Sequence, residues 1–472
     1  MVLVKPVPAV PVEKLGRVHF VGIGGAGMSG IARIMLGRGV TVSGSDRAAS
    51  PQVDELAALG AVVHLGHSPD NVAGADTVVT TPSAIGDRNP EILAAGQRGI
   101  TVIPRAAALA SIMMGRRGIA VAGTHGKTTT TSMLTTVLRH SGADPSYVIG
   151  GILAETGLGA AEGTGEFFVA EADESDGSFL NLSPAVAVVT CIEAEHLDNY
   201  RDLAEIEATF AAFAGKISAG GLLVACLDDP GAASLAAAAA SLPLRVRTYG
   251  ESAAADYRVS EIAVRGMTTR LTVTSEATGP RTLTIAVPGR HYALDAAAAF
   301  ATAVELGVAA GPTVQGLEAY RGAQRRMEPK GEADGVRVLD SYAHHPTELA
   351  ADLTAARDVA GGGRVIAVFQ PHLYSRTRFF AAQFGAALGL ADEALVLDVY
   401  AAREEPEPGV SGQLVADAVP GGRARFLPDA ADVPEVIAGL AKPGDLVLTM
   451  GAGDVTSLGP LIVAALHDRA GE

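Results

Sequence analysis

The run Gly123-Thr124-His125-Gly126-Lys127-Thr128-Thr129 constrains this chain most, because of what flanks it. Before it stands the apolar, strand-forming Gly118-Ile119-Ala120-Val121-Ala122, and after it the helical stretch Thr130 to Arg139. Strand, glycine loop and helix in that order make a phosphate-binding unit of a parallel α/β sheet. Backbone N–H groups and the helix N-terminus hold phosphate oxygens, a lysine offsets the β/γ charge, and the hydroxyl that follows meets magnesium. Gly123, Thr124, His125, Gly126 and Thr129 form the expected cradle, with Lys127 as the cation and Thr128 as the hydroxyl. The loop is shorter than the general G-x-x-x-x-G-K-[ST] pattern, since Val121 stands where its first glycine would fall.

A second glycine loop, Gly22-Ile23-Gly24-Gly25-Ala26-Gly27, follows the strand Arg17 to Val21, and Asp46 closes a second strand about twenty residues on. Alone, this fingerprint suggests NAD and an oxidoreductase. Its physical requirement is only a diphosphate at a helix N-terminus and a ribose near the acid, which any nucleotide diphosphate meets. Two phosphate loops in one chain favour kinase-like or ligase chemistry on a nucleotide-linked substrate.

At 472 residues the chain is long enough for about three domains, and 48% hydrophobic with 19% charged residues fits packed globular domains. Short β-branched runs alternate with alanine-rich amphipathic stretches, so the expected class is α/β with mostly parallel sheets. Three blocks are expected: 1–113, 114–324 and 325–472. The second includes an alternating, more polar stretch from Tyr257 to Val287 that reads as antiparallel strands. Arg325 to Gly331 reads as a linker by its charge, Pro329 and Gly331, and the low-complexity run Ala232 to Ala240 as an exposed helix. No apolar run reaches a membrane span, and Met1 to Gly16 lacks the pattern of a secretory signal, so a cytoplasmic protein is expected. The net charge of −16 argues against sequence-independent nucleic-acid binding. Cys191 and Cys226 are too few for a disulfide or zinc framework and are expected as buried apolar thiols.

Two further strands of the middle block end in polar clusters, Glu171-Ala172-Asp173-Glu174-Ser175-Asp176 and Glu193-Ala194-Glu195-His196-Leu197-Asp198. Ligands of an open parallel sheet sit at the carboxyl ends of its strands, so both clusters should converge on the phosphate loop. Magnesium takes oxygen ligands beside a phosphate, which points to Thr128 with Glu171 for one ion and His196 for a second.

These segments, together with Asp340-Ser341-Tyr342-Ala343-His344-His345-Pro346-Thr347-Glu348, resemble the Mur ligase family over essentially the whole chain, and within it the branch that forms an amide between L-alanine and UDP-N-acetylmuramate. The resemblance implies a Rossmann-like N-terminal domain for the UDP substrate, a central ATPase-type domain, and a Rossmann-like C-terminal domain completing the amino-acid site. It assigns ATP to Gly123 through Thr129, and magnesium to Thr128, Glu171 and His196. Gly22, Gly24, Gly25, Gly27, Met28, Asp46 and His67 go to the nucleotide sugar. Arg326 and Asp340 are expected to face the nucleotide, while Tyr342, His344 and Arg376 surround the lactyl group and the incoming alanine.

Two departures stand out. Gly289-Arg290-His291 is followed by Tyr292-Ala293-Leu294-Asp295 where many members carry an Asn-x-x-Asn pair, and Gln370-Pro371-His372 by Leu373 where many carry arginine. Asp295 is expected either to accept a hydrogen bond from the adenine amino group or to cap a helix start, with adenine then held by apolar packing on Tyr292. A muropeptide ligase acting on the same nucleotide sugar is the nearest alternative. Such enzymes usually carry a cysteine in the first glycine loop, and this chain has none there.

The expected chemistry is γ-phosphoryl transfer to the lactyl carboxylate, then attack of the alanine amine on the acyl phosphate. Lys127, Glu171, His196, Arg326, Asp340 and His344 are the expected catalytic set. His196 and His344 compete for the role of general base, and the third domain should close to exclude water.

Overall fold

The computed structural model describes residues 3–81, 89–197, 199–402 and 404–471. Its strands form three sheets, each from a continuous stretch of chain. The first contains β1 (Val18–Val21), β2 (Val42–Asp46), β3 (Val62–Leu65), β4 (Thr77–Thr80) and β5 (Thr101–Pro104) in the order β3-β2-β1-β4-β5. All four pairings are parallel. Helices α1 (Ala26–Gly37), α2 (Pro51–Ala58), α3 (Pro90–Gln97) and α4 (Arg105–Met113) supply its crossovers and its exit. β1 is buried at every position, as a central parallel strand covered on both faces must be. Val21, Val72, Val78, Ala94 and Ala95 form part of the core between this sheet and α3.

The second sheet runs β15-β14-β13-β12-β11-β10-β6-β9-β7-β8. In chain order its strands are β6 (Arg117–Ala122), β7 (Ser146–Val148), β8 (Ala160–Ala161), β9 (Phe167–Glu171), β10 (Val186–Val189), β11 (Leu222–Cys226), β12 (Arg245–Gly250), β13 (Tyr257–Arg265), β14 (Thr268–Ser275) and β15 (Gly279–Ile285). β6 pairs in parallel with both β9 and β10, so the loops leaving these three strands emerge side by side. The polar stretch after Tyr257 forms three consecutive neighbouring strands, β13 to β15. The helices are α5 (Lys127–His140), α6 (Leu203–Ala214), α7 (Pro230–Ala239), α8 (Arg290–Glu305) and α9 (Ala310–Ala319).

The third sheet runs β16-β17-β21-β18-β19-β20, from β16 (Glu328–Ala333), β17 (Val336–Ser341), β18 (Val365–Phe369), β19 (Glu393–Val396), β20 (Ala424–Phe426) and β21 (Leu446–Met450). It is parallel except for the edge strand β16. Helices α10 (Pro346–Ala360), α11 (Tyr374–Leu388), α12 (Gly412–Asp417), α13 (Val433–Leu440) and α14 (Leu458–Gly471) accompany it, around a core that includes Val336, Ile366, Val447, Ile437 and Ile462. The chain divides into two compact units. One comprises Met1–Ser260, Val273–Thr282 and Leu294–Tyr320; the other comprises Glu261–Thr272, Leu283–Ala293 and Arg321–Glu472.

Three expectations are corrected. Most of the supposed linker is strand β16, antiparallel to β17, with an irregular register between Pro329 and Gly331. An edge strand tolerates a proline because its outward N–H has no ladder partner, and a bulge absorbs the glycine. The low-complexity helix α7 is not simply exposed: Ala232, Leu235, Ala236 and Ala239 are buried at helical spacing, since small side chains let it lie close on β11. Cys226 is buried as expected, but Cys191 is only half-buried and sits under the phosphate loop.

Candidate active site

The phosphate loop leaves β6 at Gly123 and enters α5 through Gly126, whose φ of 79° lies in the left-handed region. Side chains are excluded at both glycines. A Cβ on Gly123 would lie 2.0 Å from Thr190 Oγ1, and one on Gly126 2.5 Å from Asp295 Oδ1. No side chain caps α5, so its first turn is of the open type that binds anions. Thr124 N donates to Cys191 O at 2.9 Å, and His125 N to Cys191 Sγ at 3.2 Å. Burial pushes the Cys191 thiol up to about 12, so it stays protonated as a packing group beneath the loop. Thr129 is buried in the first turn of α5.

Lys127 Nζ donates to Gly123 O at 2.6 Å, Thr124 O at 3.0 Å and Glu174 Oε1 at 2.9 Å. Burial alone would lower its pKa, but Glu174, Glu171 and Asp173 together raise it above the ordinary lysine value. Beside it, Thr128 Oγ1 donates to Glu171 Oε2 at 3.0 Å, and Gly150 N to the same oxygen at 2.8 Å. Arg105 from α4 reaches Asp173 at 3.1 Å.

Thr128 does lie with Glu171, but His196 sits with Glu174 and Glu195, at 3.5 and 3.6 Å from its Nε2. Ligand atoms of Glu174, Glu195 and His196 lie within 4.8 Å of one another. Glu174 was not singled out from the acidic run, and only its burial distinguishes it: it is 2% exposed, and among the described residues its Oε2 lacks a hydrogen-bond partner. A buried carboxylate oxygen left unpaired is costly, so these residues fit a divalent cation. His196 is held with a φ of 53°, a conformation uncommon for a side-chain-bearing residue. Asp198, from the same cluster, lies outside the described residues.

Asp295 lies inside α8, five residues past its start, which removes the helix-cap alternative. It is 7% exposed, and its Oδ1 accepts from Thr130 Oγ1 at 3.1 Å, tying α8 to the first turn of α5. Tyr292 is 3% exposed, with its ring centroid 4.0 Å from that of His291.

In the N-terminal sheet the glycine loop runs from Gly22, φ 78°, to Gly25, which caps α1. Asp46 Oδ2 accepts from Gly24 N at 2.8 Å, so this acid also shapes the loop itself. A Cβ on Gly24 would meet Val53 at 2.8 Å and Asp46 Oδ2 at 2.9 Å, and one on Gly27 would meet Arg105 Nη1 at 3.0 Å. Met28 is buried in α1. His67 follows β3 and bonds through Nδ1 to Ser45 and Glu91. A cavity of about 610 Å³ lies elsewhere, lined by Pro6, Met113, Arg116, Gly118 and Lys216 at the amino end of β6. Volume therefore does not mark the phosphate site.

In the second unit, fully buried Asp340 accepts from Arg325 Nε at 3.2 Å and from the hydroxyls of Thr449 and Thr456, both at 2.7 Å. Arg325, not singled out in the sequence, is therefore its basic partner. Arg326 instead lies over the Tyr342 ring, 5.4 Å from its centroid. His344 Nδ1 stands 2.9 Å from Tyr342 O, and the His372 ring 6.2 Å from that of His344. Arg376 is in the first turn of α11, just after Leu373, which is buried at a φ of 69°.

Family models match three segments: Mur ligase family, catalytic domain, over residues 17–117; Mur ligase middle domain over 121–303; and Mur ligase, glutamate ligase domain, over 325–453. The chain is 56% identical to the UDP-N-acetylmuramate–L-alanine ligase of Thermobifida fusca, covering 99% of this chain and 100% of that protein. It resembles the crystal structure of the UDP-N-acetylmuramate-alanine ligase of Thermotoga maritima, with a TM-score of 0.81 at 28% identity, over 97% of this chain and 100% of that one. The fold also matches a murein peptide ligase of Psychrobacter arcticus, with a TM-score of 0.71 at 24% identity, over 96% and 99%.

Proposed function

The chain belongs to the Mur ligase family, and from that premise we propose that it joins L-alanine to the lactyl carboxylate of UDP-N-acetylmuramate, with ATP as the activating nucleotide. The products are UDP-N-acetylmuramoyl-L-alanine, ADP and phosphate, a step in making peptidoglycan precursors. The observation that carries this reading is the Lys127 ammonium, set in the phosphate loop between Glu171 and Glu174. The full-length identity to alanine-adding relatives favours this substrate over a muropeptide, and the ligase family displaces the NAD reading.

A carboxylate resists attack by an amine because it is anionic and lacks a good leaving group. Attack of the lactyl carboxylate on the γ-phosphorus releases ADP and leaves an acyl phosphate, whose phosphate can depart. Lys127 and the N–H groups of the loop and α5 offset the charge on the transferred group. Thr128 with Glu171, and Glu174 with Glu195 and His196, are the residues that would hold magnesium, which would supply positive charge to offset the negative charge of the phosphates. Asp295 steadies the loop through Thr130.

The alanine amine must attack with its lone pair and then lose a proton. We assign that proton to His344. Tyr342 O can only accept, so His344 Nδ1 carries a hydrogen and Nε2 keeps the basic lone pair. His196 Nε2 faces two carboxylates, which suits it to cation binding. Arg326, Asp340, Tyr342 and Arg376 are assigned to the substrates on the family pattern, and Gly22 to Met28, Asp46 and His67 to the nucleotide sugar. A cytoplasmic location accords with these substrates, and among the described residues no helix is long and apolar enough to cross a membrane.

The test is phosphate release with ATP, magnesium and UDP-N-acetylmuramate against a panel of single amino acids and a free tripeptide that begins with L-alanine. Release that requires both the nucleotide sugar and L-alanine is expected. Release that needs no acceptor, or that answers only to the tripeptide, would reject the assignment.

A further inference from the structure

A buried polar network stands beside the N-terminal glycine loop, and of its members the reading above uses His67 alone. Glu91, the second residue of α3, has a fully buried side chain. Ser45 Oγ at 2.7 Å, Asn71 Nδ2 at 2.6 Å and His67 Nδ1 at 3.1 Å converge on its two oxygens, and His19 Nε2 lies 3.8 Å away. Burial alone would raise this carboxyl, yet the nearby His19 ring and the bonds from Ser45 and Asn71 hold it down at about 2. It is therefore an ionised group that only accepts.

Counting hydrogens fixes the ring opposite. Ser45 has one hydroxyl proton and gives it to Glu91 Oε2. Its other contact, 3.0 Å from His67 Nδ1, must then be one in which the imidazole donates. Both partners of Nδ1 are acceptors, so Nδ1 carries the proton. In the neutral ring Nε2 then holds a lone pair. His67 sits past the carboxyl end of β3, where Gly66 N binds Asp46 O at 2.7 Å, and its side chain is 21% exposed. Among the described residues no hydrogen bond reaches Nε2.

We propose that Glu91 is a positioning residue for nucleotide recognition. It locks His67 as the Nδ1–H tautomer, so that Nε2 accepts from a donor on the substrate's nucleoside, either the uracil imide N–H or a ribose hydroxyl. The opposite tautomer would set donor against donor. The inference rests on the reading that this domain holds UDP.

Nitrogen NMR of the full-length, ¹⁵N-labelled chain, with His67→Gln to assign the signal, is expected to show His67 protonated at Nδ1 and bare at Nε2. In Glu91→Gln the amide can donate, the ring should shift toward the Nε2–H form, and UDP should bind about tenfold more weakly, the loss of one hydrogen bond, while ATP binding is unchanged. On the wild-type chain, UDP methylated at uracil N3 and UDP lacking a ribose hydroxyl separate the two donors; the analogue missing the contacted donor should lose the same factor. A wild-type His67 protonated at Nε2 overturns the proposal, as does undiminished binding of both analogues, which needs no variant to fold. Wild-type UDP affinity in Glu91→Gln overturns this inference alone, whereas failure of the wild-type chain to bind UDP overturns the domain assignment with it.

Discussion

Lys127 has three ammonium hydrogens, and in this structure all three are engaged, by Gly123 O, Thr124 O and Glu174. A phosphoryl group must take over part of that set, and the raised pKa keeps the charge in place while it does so. Lys127→Ala should lower ligation by several decades in a folded protein, comparable to the loss of other charge-stabilising groups in phosphoryl transfer. Lys127→Arg should not restore it, because a planar fork cannot reproduce a tripod of donors. Near-wild-type single-turnover rates in either variant would refute the assignment. Glu91 carries a different prediction. Its depressed folded-state pKa contributes stability that is complete above the ordinary value of 4.5 and is lost as pH falls toward about 2. The span corresponds to roughly 3 kcal/mol, so Glu91→Gln should flatten the acid side of a stability–pH curve while losing stability at neutral pH. Chemical denaturation across that range would detect an unchanged curve and so refute it.

At the scale of elements, the strands were legible wherever burial on both faces forces a continuous apolar run, as in β1, β6 and β18. β16 was hidden because Pro329 and Gly331 are permitted at a bulged edge, which no local pattern announces. The phosphate loop was legible because its residues are contiguous. The Glu91 network was not, since its partners come from positions 19, 45, 67 and 71. Nor did the acidic run reveal that Glu174 is the member that meets Lys127 and His196. Gly24, expected at the nucleotide sugar, also answers to packing within the domain. Its missing side chain makes room for Val53 and Asp46, so the β1–α1 turn closes on α2 as well as on a ligand. Gly24→Ala should therefore lower thermal stability by about 1–3 kcal/mol, the range for overpacking, along with UDP affinity. A variant that loses UDP binding at full stability would return the explanation to the ligand alone.

At the scale of the whole molecule, the two glycine loops and the N-terminal tail belong to one compact unit, where Val4 N bonds to Asp176 O at 2.9 Å and Val7 N to Asn181 Oδ1 at 2.8 Å. The other unit has a sheet whose order deserves to be read in time. β17 and β18 follow each other in sequence but do not pair; the slot between them is filled by β21, which bonds to both. On a ribosome, at about 5–20 residues per second, Leu446 emerges several seconds after Phe369, and until then two open strand edges face each other across a gap. A chain ending just before Leu446 should consequently leave the segment from residue 325 onward open to protease, while the fragment carrying the phosphate loop survives digestion. Equal resistance of both parts would refute this. Birth of the second unit is thus a waiting process, and the growing chain must be kept from pairing with a neighbour until its own last strand arrives.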